Sequence, residues 1–116
     1  MKLTRVYADA DGESHFAEID IPLKDNGAIG YLSEQYPVKN AIFRENSADY
    51  DYDWHHAPQR QYIVLLDGEI KIETSDGEKR HFRGGDILLV EDVSGRGHRT
   101  RTVNNQPRSS LFVTLD

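Results

Sequence analysis

Short segments of alternating or β-branched residues, separated by turn signals, fill residues 61–90. In Glu69 to Thr74 (EIKIET), Ile70 and Ile72 fall on one face of an extended chain, and charged residues fall on the other. This period of two predicts a strand with one buried face. The flanking Asp67-Gly68 and Ser75-Asp76-Gly77 predict tight turns. Because no stretch shows sustained helical periodicity, we predict a mostly β protein.

Similar signals predict further strands before and after Glu69 to Thr74. In the second half they cover Gln61 to Leu66, Glu78 to Phe82, Ile87 to Val90 and Leu111 to Leu115. In the first half they cover Lys2 to Ala8, His15 to Ile21 and Ala41 to Glu45. We expect irregular structure in Lys24 to Asn40, with a helical turn near Ser33 to Gln35, and a loop in Asn46 to Asp53. Strands at this spacing favour a sandwich or barrel.

Composition excludes several classes of protein. A length of 116 residues suits a single domain, residues 1–116. The absence of cysteine excludes disulfides, thiolate metal sites and cysteine nucleophiles. A formal charge of −6 without a basic stripe argues against nucleic acid as a partner. No apolar run approaches the length of a membrane span, and the polar N-terminus is unlike a signal peptide, so a cytoplasmic protein with no membrane partner is expected.

Histidine is the residue type that offers chemistry in this chain. His55 and His56 are adjacent, Gln61 follows at the start of an apolar strand, and His98 comes much later. Neutral imidazole is the commonest metal ligand near neutral pH. Because neighbours on a strand point to opposite faces, only one of His55 and His56 is expected to point inward with His98, unless a bulge intervenes. The two other histidines are expected to face solvent: His15 and His81.

The stretch from His56 to His98 resembles the cupin family, whose domain is a small double-stranded β-helix or jelly roll. The family's first motif has two histidines one residue apart, then a glutamate and, after six more residues, a glycine. In this chain Trp54 stands at the first histidine position, His56 at the second, Gln61 at the glutamate and Gly68 at the glycine. The motif therefore covers residues 54–68.

The second cupin motif is matched at its two ends, over residues 85–98. Gly85-Asp86 opens it and His98 closes it, whereas Val93 stands where the family has proline. The segment is two residues longer than the common form, and Thr102 stands where asparagine often follows. The resemblance implies an all-β cupin barrel with part of the usual metal-ligand set.

Two kinds of site follow from this resemblance. In one, a divalent metal (iron, manganese, zinc or nickel) is held by His56 and His98, with Gln61 and His55 as further ligands. Loss of the glutamate weakens affinity for a hard ion. In the other, no metal is bound and His56 or His98 acts as an acid–base catalyst.

Residues around these histidines are candidates for substrate contacts. Trp54 is either a core residue or a stacking wall for a substrate, and Gln61 is expected in the pocket. Arg99 belongs to an arginine-rich segment and is a candidate for an anionic substrate, with Arg101 on the same face, opposite His98. Ion pairing is the simpler alternative for these arginines. The acidic, tyrosine-containing residues 49–53 are expected to form a solvated loop near the pocket mouth.

Three functions remain open at this point. The first is a metal-dependent enzyme acting on a small oxygenated molecule by dioxygenase, isomerase or lyase chemistry. The second is a metal-free isomerase or epimerase similar to sugar-nucleotide enzymes of the superfamily, and the third is a barrel that only binds its ligand. We favour an enzyme with catalytic His56 and His98. Since small cupins commonly dimerise, a homodimer that pairs through Lys2 to Ala8 is also expected.

Overall fold

Twelve β-strands and one short 3-10 turn make up the computed structural model, which describes residues 1–116. The strands are β1 (Lys2–Ala8), β2 (Ser14–Asp20), β3 (Lys24–Asp25), β4 (Tyr31–Leu32), β5 (Asn40–Asn46), β6 (Asp51–His55), β7 (Gln61–Leu65), β8 (Glu69–Thr74), β9 (Lys79–Arg83), β10 (Ile87–Val90), β11 (His98–Thr102) and β12 (Arg108–Thr114). The 3-10 turn covers Gly27–Ile29.

Two sheets face each other and enclose the core. The larger has six strands in the order β2-β1-β10-β7-β12-β5, and the smaller has four in the order β6-β11-β8-β9. All neighbours are antiparallel except β1 and β10, which run parallel. β5 and β6, which follow each other in sequence, form edges of different sheets. The prediction of an all-β jelly roll is confirmed.

The core consists of aliphatic and aromatic side chains from the inner faces of both sheets. Ile70 and Ile72 of β8 are 3% and 2% exposed, whereas the charged residues between them are only partly buried. Phe16 of the larger sheet and Phe82 of the smaller lie with ring centroids 6.0 Å apart. Period-two alternation therefore places the buried face of β8 as predicted.

Three local predictions are corrected by the structure. Residues 51–53, the end of the predicted loop, belong instead to strand β6. The segment predicted as irregular contains the small β3–β4 hairpin. Its helical turn lies at Gly27–Ile29 rather than near Ser33 to Gln35, because Gly27 and Gly30 supply the positive φ angles of 68° and 95° at its two ends.

The structure also corrects the expected role of the first strand. β1 pairs with β2 on one side and with β10 on the other, so both of its edges are used within the chain. Lys2 to Ala8 is therefore an interior strand and offers no free edge to a second copy. No helix in the structure is long and apolar enough to span a membrane.

Candidate functional site

A cavity of about 400 Å³ opens between the edge strands β5 and β6. It contains His55, His56 and His98 together with Gln61, and six of its thirteen lining residues are hydrophobic. A depression of about 450 Å³ between β1 and β9 is lined by Lys2, Arg80 and His81 among others. The first cavity is the candidate site because it alone unites the sequence-predicted histidines.

His98, the first residue of β11, is anchored at the cavity by a buried carboxylate. Its Nδ1 lies 2.6 Å from Oδ2 of Asp92, and the two residues are 5% and 0% exposed. An ionised carboxylate only accepts hydrogen bonds, so Nδ1 of His98 carries the proton and Nε2 is the nitrogen left for a ligand. Asp92 follows the apolar strand β10, whose burial carries the carboxylate inside.

His55 reaches the cavity through a β-bulge. His98 pairs with His55 and Thr100 pairs with Tyr52, so three residue steps on β6 match two on β11. The extra residue reverses the alternation and puts Tyr52 and His55 on the same inner face. Their rings stack at 3.8 Å between centroids, and the His55 and His98 centroids lie 4.5 Å apart.

The environment of His55 favours a neutral ring. Burial lowers the pKa of His55 below its ordinary value; the bond to the Asp53 carbonyl opposes this shift, and the proximity of His98 and Arg44 reinforces it. Nδ1 of His55 lies 2.8 Å from the carbonyl oxygen of Asp53 and donates to it. His55 therefore presents Nε2 as a hydrogen-bond acceptor.

Gly97 allows the two strands to approach at this point. Its φ is 74°, and a Cβ there would lie 2.0 Å from the carbonyl oxygen of His55. Any side chain would force the backbone of His55 and His56 away from β11. The glycine just before His98 therefore sets the spacing of the histidine pair.

His56 and Gln61 also line the cavity, in different environments. His56 lies just beyond the end of β6, is exposed, and has Nδ1 3.2 Å from the carbonyl oxygen of Ala57. Gln61 opens β7 and is 5% exposed. The structure thus brings together His55, His98 and Gln61 inside the cavity, with His56 at its rim.

Trp54 and Arg99, the two candidates for substrate contacts besides Gln61, lie outside this cavity. The bulge turns Trp54 outward, where it lies by Ser75 and Arg96 and is 43% exposed. Arg99 alternates with His98 on β11, and its Nε is 3.8 Å from Asp53 on the outer surface. The predicted alternation of His98 and Arg99 is confirmed.

Sequence reasoning missed four residues of the site. Tyr50 lies in the loop that the sequence predicts near the pocket mouth, Tyr52 lies in β6 instead of that loop, and Arg44 and Asp92 are not among the predicted site residues. The alternation of tyrosine with aspartate over residues 49–53 was the available signal for the tyrosines. The acidic pair Glu91-Asp92 after the apolar β10 is the available signal for Asp92.

The donor set in the cavity falls short of a metal centre. No group of three or more His, Cys, Asp or Glu side chains converges in a way that could hold an ion. Asp92, the buried carboxylate, already accepts from His98. What remains is the imidazoles of His55 and His98 and the uncharged amide of Gln61, with His56 at the rim, and this set does not match the ligand sets that hold divalent ions in closed sites.

The paired sheets, the histidine cavity and the jelly-roll topology together define a small cupin fold. Among solved structures, the chain is similar to a DUF861 family protein from Thermotoga maritima, with a TM-score of 0.54, 15% identity, and coverage of 83% of this chain and 100% of that one. It is also similar to protein NMB1881 from Neisseria meningitidis, with a TM-score of 0.52, 20% identity, and coverage of 73% and 89%. The cupin domain of Cnp3 from Schizosaccharomyces pombe gives a TM-score of 0.52 at 11% identity, over 89% of this chain and 73% of that one.

Sequence comparison gives a shorter match. The uncharacterized protein YdbB of Bacillus subtilis is 38% identical over 53 residues, which is 45% of each chain. The match therefore takes in less than half of the length of this relative. No protein-family model matches the chain. The comparisons establish the cupin fold. Because a fold does not determine function, the chemistry has to be inferred from the residues of the cavity.

Proposed function

We propose that the cavity binds a small oxygenated molecule and that His98 transfers a proton to or from it. The observation that supports this most strongly is the buried Asp92–His98 pair, with 2.6 Å between Oδ2 and Nδ1. A carboxylate in this position fixes the orientation of the imidazole and stabilises the imidazolium that forms when Nε2 takes a proton. Of the three functions that the sequence leaves open, this pair favours the metal-free isomerase or epimerase.

Each group in the cavity has a role in such a step. Nε2 of His98 takes a proton from a carbon next to a carbonyl, and the electron pair of the broken C–H bond moves to the carbonyl oxygen. The amide N–H groups of Gln61 donate to that oxygen as it gains charge. His55, held neutral, accepts a hydrogen bond from a substrate hydroxyl. Return of the proton from His98 completes an isomerisation or epimerisation.

The test is deuterium exchange without a chosen substrate. The protein is incubated with a low-molecular-weight metabolite extract in D₂O, and mass spectrometry records which compounds gain deuterium. We expect at least one compound to exchange with the wild-type protein and to stop exchanging with His98→Asn. His15→Asn, which removes a histidine remote from the cavity, is the matched control and should exchange as wild type.

Two results would redirect the proposal. Exchange that is lost in EDTA and restored by a divalent ion would support the metal reading, in which His55, His56, His98 and Gln61 are the candidate ligands. A complete absence of exchange across the extract would leave a barrel that only binds its ligand. Exchange that persists in EDTA and requires His98 is the expected outcome.

A further inference from the structure

Arg44 and Arg108 lie on the inner face of the larger sheet without an acidic partner. In the β5–β12 pairing, Arg44 lies opposite Ser110 and Arg108 opposite Asn46. Five of the seven other arginines have a carboxylate oxygen within 4.0 Å, namely Arg5, Arg60, Arg80, Arg96 and Arg99, and the remaining two, Arg83 and Arg101, lie away from the inner face. In a chain of formal charge −6, two neighbouring guanidinium groups without a carboxylate are unexpected.

Tyr50 lies close to both guanidinium groups. The Cζ atoms of Arg44 and Arg108 are 5.5 and 4.6 Å from its ring centroid. Nη2 of Arg44 donates to the Tyr50 hydroxyl at 3.4 Å. Burial lowers the pKa of Arg108; the Tyr50 hydroxyl opposes this shift, and the nearby Arg44 adds to it. The face of the Tyr50 ring offsets part of the free-energy cost of burying two guanidinium groups side by side, but it supplies no negative charge.

Buried polar atoms without a partner concentrate in the same patch. Nε of Arg108, Oδ1 of Asn46 and Oγ of Ser110 are three of the five such atoms in the chain. Arg108 itself is 7% exposed. Since buried polar groups in folded proteins are nearly always hydrogen-bonded, this concentration indicates that a polar group from outside the chain belongs here.

We infer that the cavity takes a small anion, carrying a carboxylate or a phosphate group, and that Arg44 binds this group with Arg108 behind it. Arg44 lines the cavity that contains His55 and His98, so the inference rests on the proposed function and specifies its substrate class. Ser110 and Asn46, which lie opposite Arg44 and Arg108 on the paired strands, have side-chain oxygens without a partner behind the cavity wall. A guanidinium fork suits both carboxylate and phosphate.

The test measures binding and does not depend on turnover. Matched sets of small carboxylates, their neutral amides, and phosphate monoesters are titrated into the protein while NMR follows the side chains of Tyr52 and His55. We expect saturable binding of at least one charged set, no comparable binding of the amides, and a loss of about tenfold or more in Arg44→Gln. Arg101→Gln, on the outer face of β11, should bind as wild type.

Each outcome of the binding test either supports or overturns the inference of an anionic ligand. Equal binding of amides and carboxylates, unchanged binding in Arg44→Gln, or no binding of either charged set overturns the inference. Which of the two charged sets binds identifies the anion. Anion binding without deuterium exchange would retain the inference and refute proton transfer by His98. Exchange of an uncharged compound would support proton transfer by His98 and refute the inference that the substrate is an anion.

Discussion

Two histidine–aspartate pairs in this molecule have the same nitrogen–oxygen distance, but one is buried and the other is partly exposed. His98 and Asp92 are buried beside the cavity, with 2.6 Å between Nδ1 and Oδ2. His15 and Asp9 lie at the turn between β1 and β2, also 2.6 Å apart, between Nε2 and Oδ2, and both side chains are about one-third exposed. The same bond therefore exists in two different dielectric environments.

The difference lies in what surrounds each pair. His15 uses both ring nitrogens, because Nδ1 also bonds to Asp76 at 3.1 Å, and no nitrogen is left for a ligand. His98 uses one nitrogen and has Nε2 available at the cavity. The turn pair thus ties the β1–β2 turn to the β8–β9 turn, and the cavity pair is arranged for chemistry. A histidine–aspartate pair is informative about function only when one ring nitrogen remains unused.

The largest expected contrast comes from two glycines, Gly97 beside His98 and Gly77 beside Asp76, the second partner of His15. Gly97→Ala should lower the free energy of unfolding by at least about 2 kcal/mol more than Gly77→Ala, which lies next to Asp76. Both positions have positive φ, but a Cβ at Gly77 meets nothing within 4 Å, whereas one at Gly97 meets the His55 carbonyl. Urea denaturation measures both. Equal losses would show that the close approach of β6 and β11 is not maintained in solution.

Removal of each histidine should give the next largest contrast. His98→Ala leaves the carboxylate of Asp92 buried without a partner and should cost about 3 kcal/mol of unfolding free energy. His15→Ala leaves two carboxylates that water can reach and should cost much less. The same denaturation experiment compares them. A larger loss for His15→Ala would contradict the assignment of the buried pair.

The smallest contrast is in the pH dependence of stability. Bonds to Asp9 and Asp76 raise the pKa of His15 against some desolvation, so its stabilising effect is complete below about pH 6.5 and is lost as pH rises through the folded-state value. Burial lowers the pKa of His55, so its contribution is present above about pH 6.5 and is lost as pH falls through the folded-state value.

Asparagine variants separate these two effects. The stability advantage of wild type over His15→Asn should shrink above about pH 6.5, and its advantage over His55→Asn should shrink below it. The free energy of unfolding at several pH values gives both curves. Curves that are parallel to wild type would show that neither pKa is shifted by folding.

Sequence reasoning reached β8 because its alternation is unbroken, and it missed β6 because a bulge interrupts the alternation between Tyr52 and His55. The same bulge explains why His55 proves to be the inner histidine and Trp54 faces outward. The cupin resemblance predicts His98 and Gln61 in the pocket, and both line the cavity, while their roles there stay predictions. Arg44 could not be found this way, because its importance depends on Ser110 and Tyr50, which reach it only through strand pairing and the fold.

The most direct test of the account is the protonation site of the cavity histidines. Long-range ¹H–¹⁵N NMR spectra at about pH 8 distinguish the two neutral imidazole tautomers, and His55→Asn and His98→Asn assign the signals. We predict that both neutral rings carry the proton on Nδ1 and leave Nε2 unprotonated. The ¹⁵N signal of Nε2 should shift when an anion that binds in the cavity is added. A proton on Nε2 of His98 would contradict it, since no base would then face the cavity.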